Sequence, residues 1–167
     1  MILDKKHRIE EKRIDNRNVN YISCDFEKED WIDSLLESKY RREDLSFSTL
    51  LGISYYLSKK DFEKMIRFIS NSISSGSTIV FDYPTYEECV ESTKNEELAK
   101  ESKENMKSKY TYSDIELILE KNGLFIVEHL NNEMIDEQYF AFYNKVNQEH
   151  IIKAPNGVAY CIAKKIY

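Results

Sequence analysis

The chain has 167 residues, 41% hydrophobic and 32% charged, with only four glycines and two prolines, which allows one folded domain and excludes repetitive, collagen-like or disordered chains. A net charge of −6 argues against nucleic acid as a partner. No apolar run reaches membrane-spanning length, and the start MILDKKHRIEEKR is charged from Asp4 onward, unlike a signal peptide, so no membrane partner and a cytoplasmic location are expected.

The elements follow in chain order. Lys5 to Arg13 reads as a short helix. Val19 to Ser23 (VNYIS) is a short β-rich run. Glu27 to Ser38 places Trp31, Leu35 and Leu36 at helical spacing. Leu45 to Ile53 is mostly apolar, as in a strand buried on both faces. Ser58 opens a helix, with Asp61 at capping distance and Phe62, Met65, Ile66, Ile69 and Ile73 in one stripe. After the turn at Ser75-Gly76, Ser77 to Tyr83 reads as a buried strand closed by Pro84. Residues 86–109 are rich in Glu, Lys, Ser and Asn, as in a solvated helical segment covering the body of the fold. Thr111 and Asp114 cap a helix with Ile115, Ile118 and Leu119 inward, stopped by Gly123. Leu124 to Leu130 is a strand, Glu133 to Asn144 a helix, and Val158 to Ile166 the last strand. The alternation predicts βαβ units in a single α/β domain over residues 1–167, mostly parallel, with an antiparallel strand at one edge.

Metal and disulfide chemistry find little support. Cys24, Cys89 and Cys161 are odd in number and far apart, as expected for reduced thiols. His7, His129 and His150 are scattered, so no metal site is predicted. No Gly-rich phosphate loop and no Ser-His-Asp or Cys-His nucleophile arrangement can be assembled. In an open α/β sheet, ligands sit beyond the carboxyl ends of the strands. Three such ends are legible: Cys24-Asp25-Phe26, Leu51-Gly52-Ile53 and Asp82-Tyr83-Pro84. An Asp followed by an aromatic suits adenine, and Gly52 permits close backbone approach. The same signals also serve a helix cap and a turn.

LLGISYYLSKKDFEKMIRFISNSISSGSTIVFDYP, from Leu50 to Pro84, resembles the second half of the S-adenosylmethionine-dependent methyltransferases related to leucine carboxyl methyltransferase. Their pattern there is E-G-V-x-x-Y-L, a helix, G-S, and a strand ending in F-D-Y or similar. NVNYISCDFEKEDWIDSLL resembles the family's strand and adenine-holding turn. ENMKSKYTYSDIELILEKNGLFIVEHL and APNGVAYCIAKK resemble its late helix and closing strands. Asp4 to Lys12 keeps the spacing of D-x-P-x-x-x-x-x-K, with Lys6 in place of the proline, and Leu51 stands where the family has Glu.

The resemblance implies an incomplete Rossmann-like class I methyltransferase sheet with flanking helices. The family's glycine-containing first strand, turn and helix precede the segment that here starts at Asp4. The implied cofactor is S-adenosylmethionine, with weak or absent binding expected in this chain. Asp25 and Phe26 would hold adenine, Asp4 the ribose side, and Leu51 and Gly52 the floor beneath the cofactor. Tyr55 and Tyr83 would face the acceptor, a small-molecule or peptide carboxylate, or a hydroxyl; Tyr56 is expected in packing. No catalytic residue is assigned. A non-catalytic remnant acting as an oligomeric or binding module is the competing expectation. A strand ending at Gly52 without its outer neighbour exposes an apolar edge, so a homodimer is expected.

Overall fold

A computed structural model describes residues 2–23, 31–86 and 106–166. They fall into two compact units, Met1–Arg42 and Glu43–Tyr167, where the sequence suggests one domain. The expected cover segment lies almost wholly outside the described residues; Met106 to Lys109, at its end, are irregular.

The first unit contains α1 (Ile2–Glu11) and α2 (Trp31–Leu36). Two exposed i,i+4 pairs, Asp4–Arg8 at 3.0 Å and His7–Glu11 at 3.3 Å, line α1. Val19 to Ser23, expected as a strand, is irregular backbone. Among the described residues no strand pairs with it, and Val19 instead closes a turn onto the Asn16 carbonyl at 2.9 Å.

The second unit holds a four-stranded sheet of β1 (Phe47–Leu50), β2 (Thr78–Pro84), β3 (Leu124–Leu130) and β4 (Val158–Lys165), in the order β1-β2-β4-β3. β1 is parallel to β2, and β4 runs antiparallel to both neighbours. The antiparallel strand is therefore interior, a correction to its expected place at an edge. Both outer strands point the same way because β4 returns between β2 and β3. β1 is not buried on both faces either. Among the described residues it pairs only with β2, and Phe47 is 70% exposed.

One sheet face is sealed by α3 (Lys59–Ser72) and α4 (Tyr112–Lys121). Ser58 caps α3 by accepting from the Asp61 N–H at 3.1 Å, and Thr111 and Asp114 form a reciprocal capping box on α4. The predicted stripe from Phe62 to Ile73 is buried throughout. Phe62 stacks on Phe81 and Tyr110, with centroids 5.6 and 5.3 Å away, and Tyr83 meets Tyr110 edge-on at 6.2 Å. Ile79, Phe81 and Tyr83 of β2 point into this cluster, beside Ala163, Cys161 and Ala159 of β4. The predicted helix after β3 is present, as α5 (Asn132–Ile135), a π-helical turn (Asp136–Phe140) and α6 (Ala141–Val146).

The ladder between β3 and β4 shifts register at Val127, so that Ile126 pairs with Ala163 but Glu128 with Ile162. This bulge exchanges the faces of the residues that follow. Simple alternation would put Glu128 with Leu124 and Ile126 on the α3–α4 side. Instead Glu128 shares the opposite face with Val80 and Ile162, and His129 turns toward Tyr83.

Phe81 is fully buried and Phe47 is not, although both are strand phenylalanines. Phe81→Ala is expected to cost roughly 2–5 kcal/mol in chemical denaturation. Phe47→Ala should stay within about 0.5 kcal/mol of the parent. Equal losses from the two would contradict the assignment of β1 to the open edge.

Candidate functional site

The carboxyl end of β1 passes into a short turn and a 3-10 segment, Ser54–Tyr56. Gly52 has φ +71°, a left-handed conformation that favours glycine, and no atom lies within 4 Å of the place a Cβ would take. Asp82, near the carboxyl end of β2, organises this turn. Its Oδ1 accepts from the Gly52 N–H at 2.7 Å, and its Oδ2 accepts from the Tyr55 hydroxyl at 3.3 Å. The Ser54 hydroxyl donates to the Asp82 carbonyl at 2.8 Å. Three residues of the turn are thus tied to one aspartate, and the Gly52 backbone is left open for close approach. Tyr160 sits opposite Asp82 in register on β4. Burial, then the Asp82 charge, raises the Tyr55 phenol well above its ordinary value, so it stays a neutral donor.

The residues singled out in the sequence are distributed as follows. Gly52 and Tyr55 meet at Asp82, and Leu51, 59% exposed, flanks them. Asp4 lies in α1 of the first unit, paired with Arg8. Asp25 and Phe26 lie outside the described residues. Tyr83 occupies the other face of β2, in the aromatic cluster, with its hydroxyl 2.6 Å from His129 Nε2. It is not brought together with Tyr55. Tyr56 stacks beside Tyr55 at 6.4 Å. Sequence reasoning left out Asp82, although its place at a strand end was legible, and His129, whose orientation depends on the bulge. For S-adenosylmethionine, the described residues supply an open glycine backbone beside a strand end, and this part of the site fits the group.

His129 stacks edge-on with Tyr112 at 5.0 Å and pairs in register with Cys161, whose buried thiol is pushed up to about 12. Among the described residues no three His, Cys, Asp or Glu side chains converge as metal ligands.

A family model described as leucine carboxyl methyltransferase matches residues 1–70. YktD of Bacillus subtilis (strain 168), which bears the name of a candidate S-adenosyl-L-methionine-dependent methyltransferase, is 33% identical over 132 residues, or 74% of this chain and 42% of YktD. The structure resembles a DUF574 family protein from Streptomyces avermitilis, with a TM-score of 0.62, 18% identity, and 87% of this chain and 54% of that one covered. It also resembles the mitomycin 7-O-methyltransferase MmcR, with a TM-score of 0.59, 10% identity, and coverage of 96% and 38%. The structural likenesses define the class: an open α/β sheet of the methyltransferase type. The chain is similar to the leucine carboxyl methyltransferase-like family of S-adenosylmethionine-dependent methyltransferases. It spans less than half the length of YktD.

Asp82→Ala frees the Gly52 N–H and the Tyr55 hydroxyl together. Hydrogen exchange at the Gly52 amide is expected to accelerate, with a stability loss of about 1–2 kcal/mol. Asp82→Asn, which keeps one acceptor, should fall between; unchanged Gly52 exchange in the alanine variant would remove Asp82 as the organiser of the turn.

A pH effect follows from His129. Burial lowers its folded value below the ordinary 6.5, so the unfolded chain takes up a proton first. The stability held by neutral His129 is complete above about pH 6.5 and declines as pH falls from there through the lowered folded value. Denaturation midpoints measured against pH should show this decline flattened in His129→Gln.

Proposed function

We propose that this chain contributes the later strands and the strand-end floor of an S-adenosylmethionine-dependent O-methyltransferase domain acting on a carboxylate or hydroxyl. The observation that carries the reading is the Gly52 turn, open on one side and locked to Asp82 on the other, in a chain similar to this family. S-adenosylmethionine would supply the electrophilic methyl group, and the protein's share would be alignment and exclusion of water. Gly52 would let the cofactor approach the backbone. Tyr55, kept neutral by burial and by the Asp82 charge, would stand beside the acceptor, which is proposed to be a small molecule or a peptide carboxylate.

A second reading is a non-catalytic module that assembles as a homodimer. It is favoured by the open edge of β1, where Leu45, Phe47 and Leu51 are exposed. A two-fold pairing of this edge would cover them without rearranging either copy.

Calorimetry combined with light scattering separates the two. The 167-residue chain contains no G-x-G-x-x-G to approach the carboxypropyl end of the cofactor. By itself it is therefore expected to bind S-adenosylmethionine only in the millimolar range or weaker, about −4 kcal/mol. A micromolar dissociation constant would show that these residues suffice and would remove the module reading. A monomer at micromolar concentration that persists on dilution would remove the dimer.

A further inference from the structure

The face of the sheet opposite α3 and α4 carries a cavity of about 380 Å³. Its floor is Val80, Ile162 and Leu130, one from each of three adjacent strands. Its wall is the excursion between β3 and β4. There the π-helical turn sets Ile135 and Phe140 five residues apart on the same side as Tyr139, an arrangement the 3.6-residue turn of an α-helix does not give. The return limb is fixed as a rim: Asp136 Oδ1 accepts from the Ala154 N–H at 2.6 Å, and Asn144 bonds the backbone of Ile152 twice, at 2.8 Å each.

Within this apolar lining one side chain is charged. Glu128 reaches the cavity because of the bulge at Val127, and it has no salt bridge among the described residues. Tyr139, Phe140 and Tyr160 add aromatic rings, which attract a cation as well as a flat apolar surface. The volume is near the lower end of ligand cavities, roughly 300–1,000 Å³, and the space is too small for a helix about 10 Å across.

We propose that this cavity binds a small ring-bearing molecule with one cationic nitrogen, its rings against the aromatic wall and its charge at Glu128. The site stands independently of the methyl-transfer reading, since none of its binding contacts involves Gly52 or the cofactor. Tyr160 lies next to Asp82 across the ladder and so also borders the strand-end turn.

The test uses the full chain without S-adenosylmethionine and two probes of equal shape, naphthylmethylamine and naphthylmethanol. Calorimetry is expected to show the amine binding about tenfold tighter, the value of one charge-assisted contact. In Glu128→Gln the two should bind alike, at the affinity of the alcohol. Amide shifts on titration should concentrate at Leu130, Ile135 and Tyr139. Equal binding of the two probes to the unaltered chain would overturn the proposal, and this comparison needs no variant to fold. A preference for the amine that survives Glu128→Gln, shifts centred elsewhere, or no binding of either probe up to its solubility would overturn it as well.

Discussion

Strand β2 must lose water on the side that carries Ile79, Phe81 and Tyr83, and the rest of the second unit is arranged around that requirement. Three large side chains on alternate positions of one strand cannot be covered by its neighbours in the sheet, which lie edge to edge with it. Helices α3 and α4 supply the cover, and Phe62 and Tyr110 fill the space between them and the sheet. On the β4 side the facing residues are Ala159, Cys161 and Ala163, small enough to let the aromatic rings of β2 occupy the volume. Both helices are held at their starts by side-chain caps, so their position against β2 is fixed before any ligand is considered.

The other face of β2 follows a different logic. Val80 is apolar but Asp82 is not, and the carboxylate does its work at the end of β1, where it takes two hydrogen bonds from the following turn. A parallel pair of strands has no direct connection at that end; the aspartate provides one. It follows that the geometry around Gly52 is inherited from a fully packed strand rather than from a free loop, which is the usual way a rigid scaffold positions ligand-facing backbone.

Much of the packed half was legible in the sequence. The stripe from Phe62 to Ile73 repeats at the helical period, and the capping serines and threonines stand where helices begin. Local chemistry decides these features, so local sequence reveals them. VNYIS was misleading because strand propensity is a statement about fitting a sheet, and none of the described strands pairs with it. The interior position of β4 was hidden because nothing in VAYCIAKK distinguishes insertion between two strands from addition at an edge. The roles of Glu128 and His129 were hidden for a further reason: one unpaired residue at Val127 reverses the alternation, and its own side chain gives no notice of it. At the site, Gly52 and Tyr55 could be read from their place after an apolar run, whereas their common partner thirty residues later could not.

The π-helical turn at Asp136–Phe140 has an evolutionary consequence. Such a turn is one residue longer than the α-helical turn it replaces. Loss of a single residue within it would leave one ordinary α-helical turn, with the residues beyond it on the bearings they already hold. Phe142 and Val146 would stay exposed and Asn144 would still face Ile152, while the five-residue spacing of Ile135 and Phe140 would be lost. A one-codon deletion there would therefore fall on the cavity wall alone and leave the rim beyond it in register.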